Sequence, residues 1–324
     1  MKRILSILLA LSMLVCMTVS FTSCSSEKKA AGDAKIGIVQ PMDHTSLNQI
    51  RDTIIARLVE LGYSEDQITV KNASNDASLL PSIFQSLIAD GVDILIPIAT
   101  NTAQVAASQT DSIPIVFSAA SNPVEAGLVT AFDATDKNVT GVSDAVNVEA
   151  IFSMMQELTP NVKTVGFVYN PGEINSSTAV ASAKEYCEAH NLAFKEATVS
   201  STADIAQAVT SLVGEVDAFF TADDNTVASG MTTYAQIAID AKLPIYVGAD
   251  SMVIDGGLAT VGIDYDVLAK QTAEMADRIL KGAKISDTHV ERVANPAKII
   301  NRATADAIGI TISDAMAAEF TVID

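Results

Sequence analysis

The 324-residue chain contains no tryptophan, and phenylalanine and tyrosine bring its aromatic content only to 5%. Sites that stack sugar or base rings on Trp are therefore excluded. Histidine occurs three times, at His44, His190 and His289, with no spacing that would place two on one metal ion. No metal site is expected. Cysteine also occurs three times. Cys16 is expected to leave with the N-terminal signal and Cys24 to be lipidated, so Cys187 is left alone and no internal disulfide is expected. Cys187 falls in a helical pattern, where a small buried apolar residue fits. Basic residues are scarce: 20 Lys and Arg against 39 Asp and Glu give a formal net charge of −19. Such a body is repelled by nucleic acid and by anionic lipid, so no nucleic-acid partner is expected. The dinucleotide GxGxxG, the phosphate-binding P-loop, the nucleophile elbow GxSxG and the zinc HExxH are all missing. The chain reads as a protein without catalysis and without a cofactor.

Long apolar runs are scarce as well, apart from residues 4–19. That run is shorter than the roughly 20 residues of a spanning helix. Lys2 and Arg3 precede it, and Phe21-Thr22-Ser23-Cys24 follows. The pattern is similar to a bacterial lipoprotein signal, in which the cysteine after the cleavage point is diacylated. Residues 1–23 are expected to be the signal peptide, Cys24 the lipidation site and 24–33 a flexible tether. The expected location is extracytoplasmic, at the outer face of the bacterial cell membrane, held there by the lipid alone.

About 300 residues remain, more than one hydrophobic core usually serves. Continuous Val/Ile/Leu runs at 35–40, 68–72, 92–98 and 113–117 suit strands buried on both faces of a parallel sheet. Helical apolar spacing separates them, as at Leu47, Ile50, Ile54 and Leu58. Strand–helix alternation restarts after Gly141, with strands at 164–169, 193–199, 218–221 and 244–247. The fold class is α/β: two doubly wound parallel-sheet lobes joined by hinge strands. The first lobe is expected at 34–120, with a return segment about 258–285. The second is expected at 121–257, with 286–324 added to it although either lobe can take the C-terminus. Residues 124–131 read as a short helix, 138–143 as a polar connector that crosses between lobes, and 227–242 as one helix. Hinges are expected near 119–122 and 250–258.

Small polar turns follow the strands, where open α/β sheets bind ligands. Thr100, Asn101 and Thr102 open a helix whose start suits an anion, with Ser118 and Ala119 after the next strand. From the second lobe come Asn170, Glu173 and Ser176, then Asp223 and Asn225, then Asp250. Asp223 and Asp250 are lone carboxylates that can meet a ligand ammonium, or solvated loop charges. Asp224 reads as a helix cap, and His44 is a further candidate for ligand contact.

Four stretches carry a resemblance: IPIVFSAASNPVEAGLV at 113–129, TVGFVYNPGEINSS at 164–177, AFFTADDNTVASG at 218–230 and LPIYVGADSMVIDGGLATVGIDY at 243–265. Over roughly 35–312 the chain resembles the ABC-transporter substrate-binding lipoproteins that capture amino acids such as tryptophan and phenylalanine. The resemblance implies a periplasmic-binding-protein type I fold, with ligand held between the lobes. It also implies a membrane permease with a cytoplasmic ATPase as partners. The chain itself is expected to be a monomer with an aromatic or large apolar amino acid as ligand. A sugar or nucleoside binder and a sensory ectodomain are the alternatives, with an extracytoplasmic enzyme behind them.

Overall fold

The computed structural model describes residues 33–134, 137–293 and 295–324, so the leader, Cys24 and the tether up to residue 32 lie outside the described residues. The first lobe begins with β1 (Ile36–Gln40), α1 (Thr45–Glu60), β2 (Ile68–Asn72), α2 (Leu80–Ala89), β3 (Ile94–Pro97), α3 (Thr100–Gln109), β4 (Ile115–Ser118) and β5 (Val139–Ser143). The second holds α4 (Val148–Leu158), β6 (Thr164–Tyr169), α5 (Ile174–Ala189), β7 (Ala193–Thr198), α6 (Ile205–Leu212), β8 (Ala218–Thr221), α7 (Asn225–Ala228), α8 (Met231–Asp240), β9 (Ile245–Val247), α9 (Asp250–Ile254) and β10 (Ala259–Gly262). The chain then returns to the first lobe for α10 (Tyr265–Leu280) and β11 (Glu291–Arg292). It ends in the second with β12 (Ala297–Asn301), α11 (Arg302–Ile308), α12 (Asp314–Glu319) and β13 (Thr321–Ile323).

The first sheet has the order β11-β5-β4-β3-β1-β2 and the second β13-β12-β10-β9-β8-β6-β7. Every pair is parallel except β10 with β12. The two lobes thus repeat one winding: β2-β1-β3-β4-β5 in the first matches β7-β6-β8-β9-β10 in the second. In each, strand order reverses beside the first strand, and the crevice at such a switch point is where doubly wound sheets take ligands.

The runs of Val and Ile are buried because helices cover both faces. Ile36, Ile38, Ile94 and Ile96 pack with Leu47, Ile50, Ile54 and Leu58 of α1. Val39, Leu95, Ile115 and Phe117 pack on the other face with Leu80, Phe84 and Leu87 of α2. Helix α10 completes the first lobe. Its Leu268, Ala269, Ala273, Met275, Ala276 and Ile279 form one buried stripe against α1, β4 and β5. Each large apolar side chain so buried contributes about 1.5–3 kcal/mol.

The structure changes several sequence expectations. Residues 138–143 are not a connector: β5 is fully buried and pairs with β4, so the first sheet extends past the expected boundary at 120. Its polar groups are satisfied, Thr140 Oγ1 donating to Thr288 O at 2.8 Å and Ser143 Oγ to Ser121 O at 2.9 Å. The chain crosses between lobes after Ser143, after Gly262 and after Arg292, not near 119–122 or 250–258. Residues 124–131 form turns rather than a helix, with Gly127 at φ +71°. The helix expected over 227–242 is two, α7 and α8, with Gly230 between them at φ −119°. At the second crossing, β10 lies so close to the turn after β9 that a Cβ on Gly262 would come within 2.1 Å of the Gly248 carbonyl oxygen.

Candidate functional site

The turns after β1, β3, β4, β8 and β9 converge where the two sheets face each other. The lobes meet there through polar pairs. Ser46 Oγ lies 2.6 Å from Ser251 Oγ, Gln49 Nε2 donates to Asp250 Oδ2 at 3.3 Å, and Thr178 Oγ1 donates to Glu125 Oε2 at 3.0 Å. Ser121 Oγ, after β4, contacts Asp223 Oδ2, after β8. The arrangement is closed.

Neighbouring cavities lie in this junction, and two of them bear on the site. The central one, about 10 Å³, is walled by His44, Ala99, Thr100, Ala119, Asp144, Asn175, Asp223, Asn225, Met252 and Tyr265 among others. That is about the room one water-sized group needs. It shares Ala99, Asn175 and Asn225 with a lateral cavity of about 300 Å³. The lateral wall combines Pro41, Met42 and Ile174 with the amides of Asn75, Asn101, Gln104 and Asn170. A larger groove, about 760 Å³, lies behind the crossings between Asn147, Glu185, His190 and Arg292. Among the described residues, no buried unpartnered polar atom faces it.

The first-lobe wall is strained. Ala99 has φ +75°, ψ +153° and Ala119 has φ +60°, regions that cost a residue with a Cβ about 1–3 kcal/mol. Ala99 is the N-cap of α3, and no side chain caps that helix. Thr100 Oγ1 and Thr102 Oγ1 are buried without a partner. Thr100 faces the central cavity and Asn101 the lateral one. Thr102 and Ser118 are not in these walls; Ser118 Oγ instead lies 3.0 Å from Thr272 Oγ1 of α10.

The second-lobe wall is a carboxylate network. Glu173 accepts from the backbone and side chain of both Asn225 and Thr226, at 2.7–2.9 Å. It is thus a helix-start cap rather than a free charge. Because Asn225 Nδ2 is committed to Glu173, its Oδ1 faces His44 Nε2 at 3.3 Å. Burial pushes the His44 imidazole down, toward its neutral form, and its Nδ1 stays an unpartnered acceptor. Asp224 caps α7 through Val227 N at 2.8 Å and accepts from Asn170 N at 2.6 Å. Burial, then Glu173, pushes Asp224 up to about 7. Asn170 lines the lateral cavity, while Ser176 is buried beneath with its hydroxyl unpartnered.

Asp223 meets a carboxylate that sequence reasoning missed. Asp144, just after β5, is 3% exposed and accepts from Ser121 Oγ at 2.9 Å. The same Ser121 hydroxyl contacts Asp223, whose Oδ1 has no partner. Burial raises both acids, Asp144 to about 6, and the charge of Asp144 raises Asp223 further. Asp250 does not line either cavity. It sits at the rim of the lobe junction on Gln49 and Ser251 N, where burial raises it to about 6. Asp144 was hidden because residues 138–143 read as a connector. Met42 lies outside every resembling stretch, Asn175 and Tyr265 lie inside two of them without having been singled out, and the fold brings all three to the walls.

Two doubly wound lobes closed over a small, carboxylate-lined cleft define a bilobed solute-binding protein of the periplasmic-binding-protein type I fold. The model of the family described as ABC transporter substrate binding protein matches residues 35–322, and the chain belongs to that family. This is an extracytoplasmic, substrate-binding transport family rather than an enzyme family. A tyrosine-binding protein of Clostridioides difficile is 33% identical over 95% of this chain and 92% of its own. A domain from Streptococcus pneumonia solved in complex with L-Trp is 39% identical, with TM-score 0.84 over 90% of this chain and 99% of that one. A ligand-free, open substrate-binding protein with adhesive properties from Clostridium difficile is 32% identical over the same shares, with TM-score 0.69.

Proposed function

We propose that the protein captures an aromatic amino acid in the closed cleft and delivers it to a membrane permease driven by a cytoplasmic ATPase. The observation that carries the reading is the buried pair Asp144 and Asp223 beside a water-sized cavity. A ligand ammonium fits there and needs two acceptors with no competing cation. The ligand carboxylate takes the uncapped start of α3 and the Thr100 hydroxyl. The side chain enters the lateral cavity, where Pro41, Met42 and Ile174 cover a ring and the amides meet a phenol or an indole N–H. The tyrosine and tryptophan named for the two relatives support this class. Closure fits it too, since the fold superposes better on the L-Trp complex than on the open relative.

The mature chain is a monomer held to the outer face of the membrane through acylated Cys24, with residues 25–33 as tether. A thermal-shift screen of L-Trp, L-Tyr and L-Phe tests the ligand class; a ligand at 100 times its Kd adds about 2.7 kcal/mol. Calorimetry on Asp223→Ala then tests the ammonium site. Loss of one charged partner costs about 2–5 kcal/mol, roughly 30- to several-thousand-fold in Kd. Binding within a few-fold of the parent removes Asp223 from the site.

A further inference from the structure

The Ser121 hydroxyl stands between two buried carboxylates but has one proton to give. It contacts both Asp144 Oδ1, at 2.9 Å, and Asp223 Oδ2. It donates to one and must accept from the other, and a carboxylate cannot donate. One carboxyl of the pair therefore carries a proton whenever both contacts hold without a cation. Asp223 Oδ1 is a third acceptor there, buried and unpartnered.

We propose that this proton and the ligand ammonium are alternative occupants of one place, so that capture of each ligand expels a proton from the cleft. The proposal rests on the amino-acid reading above and adds the proton as a second ligand of the same site. The balance is simple. A carboxyl O–H bond breaks and the proton passes to solvent. The ammonium N–H groups then bond to two carboxylates. The site carries one negative charge before, from one carboxyl and one carboxylate, and one after, from two carboxylates and an ammonium. Exchange of the proton for the ammonium thus leaves the net charge at the acid pair unchanged, beside the cavity of about 10 Å³.

The surrounding groups favour holding the proton. Glu173, from the start of α5, adds negative charge toward Asp223. Tyr265 OH of α10 lies 3.5 Å from Asp144 Oδ2 and is held neutral by burial. His44, before α1, is pushed toward neutrality, and Asp224 and Asp250 add no cation. Arg292 shares a neighbouring cavity wall with Ser121 and Asp223, but its guanidinium stacks 3.9 Å from the Phe132 ring centroid. The direction of both titrations agrees, since each acid of the pair is raised.

The test is calorimetry with L-Trp or L-Tyr, whichever the screen selects, in phosphate and in Tris at matched pH. Near pH 7 the difference in heat between buffers should correspond to about one proton released per ligand. The Kd should weaken about tenfold for each pH unit lowered toward 6. Asp144→Asn keeps the shape with one titratable group fewer, and should bring the release near zero and flatten the profile. Heats that do not depend on buffer, with a Kd flat from pH 5 to 8, overturn the exchange while leaving the amino-acid reading intact. Failure of every amino acid to bind instead overturns that reading, and the exchange with it.

Discussion

Ser46 on α1 and Ser251 on α9 meet hydroxyl to hydroxyl at 2.6 Å, both buried, from opposite lobes. Nothing in either lobe alone needs this contact. It exists only when the cleft is shut, so it weights the closed form against the open one. Replacing Ser46 with Ala should remove about 0.5–1.5 kcal/mol from closure, a two- to tenfold weaker Kd for the amino acid. The thermal midpoint without ligand should barely move. A drop of equal size with and without ligand assigns the contact to folding instead.

Acid should stabilise the ligand-free protein. Asp144 and Asp250 are raised to about 6 and Asp224 to about 7, above the ordinary 3.8. Between these values the folded chain binds more protons than the unfolded one, so stability falls as pH rises through the window of about 4 to 7. The net charge of −19 adds self-repulsion in the same direction. Thermal unfolding should give a higher midpoint at pH 5 than at pH 8, and a midpoint that climbs steadily toward pH 8 contradicts the buried-acid account.

Gly262→Ala should destabilise the second crossing. The new Cβ meets the Gly248 carbonyl oxygen, which is backbone and cannot swing away. Overpacking of this kind costs about 1–3 kcal/mol. Urea unfolding measures it. A variant of parent stability means that β10 and the turn after β9 can separate freely.

Cys24→Ala should release the protein from the membrane fraction of cells, because two acyl chains anchor stably where one is marginal. Equal retention of the variant points to another means of attachment.

Composition and periodicity carried the strand–helix alternation well, because strands such as Ile94–Pro97 and Ile115–Ser118 are buried on both faces and read as unbroken apolar runs. They failed at β5, whose VTGVS is half polar yet wholly buried. Its hydroxyls donate across sequence separations of 148 for Thr140 and 22 for Ser143, beyond any local pattern. The same failure hid Asp144. Of the residues in turns after strands, Thr100, Asn101, Asp223 and Asn225 line the cavities. Asp250 obeys the same rule and still misses them, since α9 turns its carboxylate toward Gln49. Glu173 lines the lateral cavity and accepts from four donors of Asn225 and Thr226.

The first lobe leaves its sheet at Ser143 and is completed only by α10, which starts at Tyr265. A chain delivered N-terminus first therefore presents β4 and β5 with one face uncovered while about 120 further residues emerge. At synthesis rates of about 5–20 residues per second that wait lasts roughly 6–24 s. Neither half can mature ahead of the other, because the second lobe in turn waits for β12 and β13. The interleaved connectivity makes final packing of both lobes a late event that needs nearly the whole chain.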